Sequence, residues 1–548
     1  MKKGRNLIVG LLLAAAILLA ACAAPTGGSG GGEATPTDSI IRVGISGTPD
    51  LDPAVAMTNS SVVAAANLYD PLVWPTAEGV KPWVAERWIV SDDGLTYVFD
   101  IRQGISFHDG TELRASDVAF SMNRKMAMGE GWAYLWEGFV DYAEATGDFE
   151  VTFHMLKPFG SFVNSLVRLF IVNEALIMDN LANGPYGEFG DYGRAFLTNN
   201  TAGSGAYTFR ELVHQDFFEA VRFDDWFMGW DSRPNAPMGF RQLAVPEPAT
   251  VLMMMNTGLM DKTDQWQSPE NLAAMAEMDG ISISAISTYT MQNMYLNTQV
   301  APMDCIYFRR AIAFMFDFDT ILNDILVDSV KPIGPVPAGI AGAVATSAVD
   351  HELDIERARA YLALSQYADT FQDYAIEFLV IADVATAEVV ALTFQAVAAE
   401  LGMNIQIARA PWVSVVDRMG SLETSPHMVS IAAAPGFNDA GTYLETRYHS
   451  ATTGTWTQGE WLLDPRVDAM IDAAIATVDE AERFALYAQI QHYIVDEFHP
   501  TVFLAELTER KAIRDDVVWP LWHDAAPGEI PTALFGFHQI FADMELNR

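Results

Sequence analysis

Apolar and polar positions alternate with a period of two along several short runs, the mark of a strand with one buried face. Residues 40–45 (IIRVGI), 95–101 (LTYVFDI, Asp100 outward) and 291–297 (MQNMYLN) follow it. Residues 101–107 predict a further short strand with Ile105 and Phe107 on one face. A tight turn follows at His108-Asp109-Gly110, where glycine supplies the positive φ. Ser116 is the expected cap of the next helix, with Asp117 in its first turn and Val118 and Met122 on its buried side. Residues 61–69, 354–362 and 481–498 predict further helices, the last with a stripe of Leu486, Ile490, Tyr493 and Ile494 halted at His499-Pro500. Residues 501–505 then form a buried strand. Strand 376–381, helix 387–401 closed by Gly402 and strand 403–407 make a strand–helix–strand unit, which favours a mostly parallel sheet. The class is α/β.

The first residues are an address. Lys2, Lys3 and Arg5 precede an apolar run, residues 7–19, too short to serve comfortably as a permanent span. It ends in Leu19-Ala20-Ala21-Cys22, similar to a bacterial lipobox, which implies cleavage before Cys22 and lipidation of its thiol. An ordinary secretory cleavage that frees the chain is the competing reading. Residues 23–38, rich in Gly, Ser and Thr, suit a flexible tether to a membrane anchor. With Cys22 lipidated, Cys305 has no disulfide to make and is expected to be a small buried apolar residue. The net charge of −39 over 548 residues argues against nucleic acid or anionic lipid as a partner.

Catalytic signatures are missing. The sequence has no G-x-S-x-G, no Ser three residues before a Lys, and no H-E-x-x-H. His351, His427, His449 and His499 are scattered, and Gly203-Ser204-Gly205 has no lysine after it. No catalytic residue, metal or cofactor is called for. An enzyme would have to assemble its site from residues that converge only in space.

Gly104 to Ser121 (GISFHDGTELRASDVAFS) is similar to a signature of the bacterial extracellular solute-binding proteins of family 5, which feed dipeptide, oligopeptide and nickel ABC importers. Further pieces resemble that family in its own order: Leu51-Asp52-Pro53, residues 82–88 (PWVAERW), residues 201–209, residues 246–258, residues 308–313 (FRRAIA), residues 332–339 (PIGPVPAG) and residues 494–506. The resemblance covers residues 40–510. It implies a two-lobed, type II (cluster C) periplasmic-binding-protein-like fold with an extra subdomain in the first lobe. Lobe I would comprise residues 39–74, 200–294 and 503–548, the subdomain 75–199, and lobe II 295–502, with crossings near 295–299 and 501–505. It further implies a monomer that captures a solute between closing lobes and hands it to an ABC permease and its ATPase.

The solute segment departs from the family. Peptide-binding members hold the peptide ammonium with the first acid of D-Y-x-D-P; Gly436 stands at that place here, and only Asp439 remains, read as turn-forming. Asp383 lies where dipeptide binders present an arginine. A longer peptide held through its backbone is the leading solute, and an oligosaccharide stacked on Trp132, Trp136 or Trp412 the alternative. The resemblance gives as ligand-binding candidates Thr48, Trp132, Trp136, Trp412, Ala434, Gly436, Phe437, Asn438 and Asp439. The aromatic run Trp132, Tyr134, Trp136, Phe139 and Tyr142 is either core or an aromatic floor. A secreted hydrolase and a sensory lipoprotein are the more distant readings.

Overall fold

The computed structural model describes residues 39–548 except positions 78, 246, 383 and 528. The export segment, Cys22, the tether through residue 38 and Asp383 lie outside the described residues. Strand Ile40–Ile45 pairs in parallel with Gly239–Ala244, which runs antiparallel to Phe217–Arg222; Tyr207–Val213 completes a four-stranded sheet. The alternation seen in the sequence sorts the first strand. Ile41, Val43 and Ile45 are buried, while Arg42 turns to the Asp261 carboxylate at 2.9 Å. Helix Asn59–Leu68 starts at Thr58, whose hydroxyl accepts from Ser61 N–H, and is buried from Ser60 to its end.

A second, antiparallel sheet of Ala85–Val90, Thr96–Ile101, Glu150–Met155 and Val140–Gly147 forms the subdomain. Its inner face presents Tyr97, Phe99, Ile101, Val151 and Phe153, all buried, and helix Ala115–Met128 packs against it.

The third sheet has five strands in the order Asn404–Ala410, Ala375–Ile381, Met428–Ala433, Ile281–Leu296, Thr501–Arg514. Its last two strands are long, and they organise the molecule. Residues 291–295 pair with 501–506 inside this sheet, and residues 281–287 pair with 508–514 beyond it. The register breaks between Ser287 and Met291, where Tyr289 takes φ 56°. The backbone of Lys262 bridges Val43 on one side and Ile513 on the other, tying the far half of the pair to the first sheet. Two α/β lobes thus share two continuous strands.

Lobe II has its own core, including Met294, Phe316, Phe378, Phe394 and Leu504. The largest core instead runs from the first sheet through the subdomain into helices Ala440–Tyr448, Pro465–Ala476 and Glu480–Tyr493. The subdomain touches those helices backbone to backbone: Gly160 N–H donates to the Ile475 carbonyl at 2.9 Å. A Cβ at Gly160 would lie 2.1 Å from the Thr477 carbonyl oxygen, so no side chain fits there.

Four expectations need correction. The strand–helix–strand unit does pair in parallel, Ile376 opposite Ile405, yet the five-stranded sheet is mixed. That unit governs only the strands it links; the long pair enters from the other lobe with a direction set by the crossing. Residues 101–107 do not continue as a strand and meet only in a Ser106–Glu112 bridge. The cap of Ala115–Met128 is Arg114, not Ser116, because the Asp117 carboxylate reaches back to Arg114 N–H at 2.8 Å. Cys305 is half-buried at the start of helix Ile306–Ala313, its sulfur 3.4 Å from the Ser365 hydroxyl. The turn at residues 108–110 is as read: Gly110 has φ 86° and the Asp109 carboxylate accepts from Thr111 N–H at 2.9 Å.

Candidate functional site

Strand Met428–Ala433 delivers residues 434–439 to the place where lobe II meets the subdomain. Each side chain of this loop is fixed by a different element. Asp439 caps helix Ala440–Tyr448, its Oδ1 accepting from Gly441 N–H and from the Tyr487 hydroxyl, both at 2.8 Å, with Arg483 3.4 Å from its Oδ2. Asn438 donates to the Ala77 carbonyl at 2.8 Å and accepts from Ala341 N–H at 2.9 Å, joining the two lobes. Phe437 is buried edge-on to Phe159 of the subdomain. Ala434 is half-buried. At Gly436 a Cβ would sit 3.2 Å from a Leu135 methyl and 3.3 Å from the Thr442 hydroxyl. The position is crowded from both lobes.

The Gly436 carbonyl is held by Arg168, whose Nε donates to it at 2.6 Å. Arg168 Nη2 donates to the Phe535 carbonyl at 2.9 Å, so one guanidinium joins subdomain, lobe II and C-terminal segment. The guanidinium lies 4.4 Å from the Trp132 ring centroid, and no carboxylate among the described residues pairs with it. Burial is complete and lowers its pKa to about 9. Behind it, Lys125 Nζ donates to the Arg168 carbonyl at 3.0 Å, and burial brings that ammonium down to about 7. Two buried basic groups thus adjoin, and Asp52 is the acid that acts on Lys125.

Trp132 and Trp136 sit in one turn and differ in their surroundings. Trp136 is fully buried and its indole N–H donates to the Ser165 hydroxyl at 2.7 Å. Trp132 is 5% exposed, and its Nε1 has no hydrogen-bond partner among the described residues. Between them Tyr134 keeps 38% of its surface free. Burial still drives its phenol pKa up, with Arg168 opposing and Glu445 reinforcing the shift. Burial likewise raises the Glu445 carboxyl to about 7, with Lys157 pulling the other way.

Of the candidates, Trp132, Ala434, Gly436, Phe437, Asn438 and Asp439 converge on this seam. Thr48 and Trp412 have no hydrogen bond or ring contact to the group among the described residues. Thr48 Oγ1 accepts from Gln215 N–H at 3.4 Å, and Trp412, 38% exposed, stands edge-on to Trp456 at 5.3 Å. Arg168 and Glu445 were not foreseen. The signal for Arg168 was present: it is the one charge in the apolar stretch LVRLFIV, residues 166–172.

A family model described as bacterial extracellular solute-binding proteins, family 5 Middle, matches residues 79–455. The chain belongs to that family. The probable D,D-dipeptide-binding periplasmic protein DdpA of Escherichia coli K12 is 25% identical over 85% of this chain and 88% of its own length. Among solved structures, Helicobacter pylori DppA in complex with peptide STSA superposes with a TM-score of 0.75 at 20% identity, covering 93% of this chain and 98% of that one. Bacillus subtilis AppA in complex with a nonapeptide does so with a TM-score of 0.73 at 17% identity, covering 93% and 99%. These likenesses give the solute-binding protein its two-lobed type II fold. Family 5 proteins are the exported solute receptors of ABC importers, and the family is one of binding proteins, not of enzymes. No described helix is long and apolar enough to cross a membrane.

Proposed function

We propose that this chain is the membrane-anchored receptor of an ABC importer, tethered through a lipidated Cys22, and that it takes a peptide between its lobes for delivery to the permease. The observation that carries this reading is the pair of continuous strands whose register breaks between Ser287 and Met291, and again between Gln292 and Asn293. A break there can absorb a lobe rotation while the paired halves stay intact, so binding energy shifts the open–closed population. In this reading the hinge lies at residues 287–291 and 506–508, with lobe boundaries beside it. The solute borders Trp132, Ala434, Gly436, Phe437 and Asn438, while Asp439 and Trp136 hold the loop and the turn in shape. Backbone groups of the loop bind the peptide main chain. Trp412, with an open ring face beside Trp456, favours a sugar as the second reading. Small-angle scattering of the ligand-stripped protein tests the proposal: peptides should reduce the radius of gyration and raise the melting temperature. A radius unchanged by peptides and glycans alike would sink it.

A further inference from the structure

The seam between the lobes holds donors without acceptors. Arg168 Nη1 and Trp132 Nε1 are both buried, both lack a hydrogen-bond partner among the described residues, and belong to side chains stacked 4.4 Å apart. Each is an obligate N–H donor, so what is missing at both is an oxygen with lone pairs. Buried polar atoms are paired in the great majority of cases, and an orphan is a place to look for an absent partner. Lys125 adds a second buried cation one bond away, through the Arg168 carbonyl.

Among the described residues, no carboxylate pairs with the Arg168 guanidinium. Asp439 is engaged with Gly441, Tyr487 and Arg483. Asp52 is engaged with Arg124. Glu445 makes no ion pair or side-chain hydrogen bond among the described residues and acts here on the Tyr134 and Tyr487 phenols. A buried guanidinium without a carboxylate partner among the described residues, inside a chain of net charge −39, is not a consequence of composition. A desolvated guanidinium without an acid is destabilising, and a carboxylate is the group whose geometry matches it. Tyr134, whose ring is 6.0 Å from Trp132, continues the stack to a partly exposed side chain.

We propose that the Trp132–Arg168 stack is an anion subsite of the solute cleft, taking a carboxylate of the solute; this rests on the solute-receptor reading above. The carboxylate can be a peptide's C-terminus or acidic side chain, or the acid group of a uronic sugar. A closed lobe pair then gains an ion pair that the open form leaves hydrated, so the anionic group both selects the solute and favours closure.

The test is titration calorimetry on ligand-stripped full chain with two matched series: peptides with free against amidated C-termini, and oligouronates against their neutral methyl esters. The acid form should bind about tenfold tighter or more than its neutral partner in at least one series, with the advantage shrinking as salt rises. Arg168→Gln should bring that ratio close to one. Trp132→Phe keeps an aromatic ring beside the guanidinium while removing the N–H together with the pyrrole ring, and should lower the ratio part-way even if the arginine variant folds poorly. A preference in the uronate series alone supports the subsite while removing the peptide reading. Equal affinity for acid and neutral partners leaves the receptor reading intact and overturns this one. So does a ratio that both variants leave unchanged.

Discussion

Two arginines of the subdomain, both buried, are treated in opposite ways. Arg124, on helix Ala115–Met128, makes a two-pronged pair with Asp52 at 2.8 and 2.6 Å and donates from Nε to the Tyr192 carbonyl. Arg168 has carbonyls and aromatic faces only, and one nitrogen with no partner. The same division separates the neighbouring indoles, Trp136 satisfied and Trp132 not. In this pair of arginines and this pair of indoles, the member that holds the subdomain is closed and the member facing the other lobe is left open on one side. What sets Arg168 and Trp132 apart is that two orphaned donors stack on one another, beside an arginine and an indole of the same subdomain that are satisfied.

The largest effect should come from breaking the closed pair. Arg124→Ala leaves Asp52 buried with only Arg194, 3.6 Å away, as a partial substitute. We expect a loss of about 3 kcal/mol in urea unfolding, the lower end for a broken buried pair. Arg168→Gln strands no acid and removes two bonds to carbonyls, so its loss should be nearer 1–2 kcal/mol, roughly the worth of those bonds. If the arginine at 168 proves as expensive to remove as that at 124, it is a structural group and the contrast fails.

What the sequence could announce was local. The turn at residues 108–110, the left-handed Gly402 (φ 81°) and the stop at His499-Pro500 depend on neighbours within a few positions, and all could be read in advance. Helix Ala115–Met128 was misplaced at its start because the side chain that caps it is Asp117, acting from inside the first turn. The mixed sheet escaped because strand direction follows from a crossing between lobes. Arg168 escaped for the same kind of reason: its acceptors are 268 and 367 residues away, a distance over which no spacing rule operates. The loop of residues 434–439 was visible as a departure from the family pattern. What occupies its place, Leu135 and Thr442, was not.

Lys125 sharpens the comparison through pH. Burial moves its pKa from an ordinary 10.5 to about 7, so between those values the unfolded chain carries the extra proton. Stability attributable to this group must then rise as pH climbs from about 7 toward 10, and be flat below 7 where both states are protonated. Lys125→Met should remove that rise without lowering stability at neutral pH. The check is the unfolding free energy of both proteins from pH 6 to 10, and an identical slope in the two would mean that the buried ammonium is already paired.

The smallest effect isolates one N–H. Trp136→Phe and Trp132→Phe cut away similar ring volume, and both rings sit under a cation, Lys125 at 5.5 Å and Arg168 at 4.4 Å. They differ in the hydrogen bond. Trp136→Phe deprives the Ser165 hydroxyl of its donor, while Trp132→Phe deletes a donor that had no acceptor. The first should therefore be the more destabilising by about 1 kcal/mol in ligand-free protein. With an acidic solute bound the order should narrow, since Trp132 Nε1 then has something to lose. Equal values in the free protein would mean that Trp132 is already satisfied before any solute arrives, by a water held at the stack.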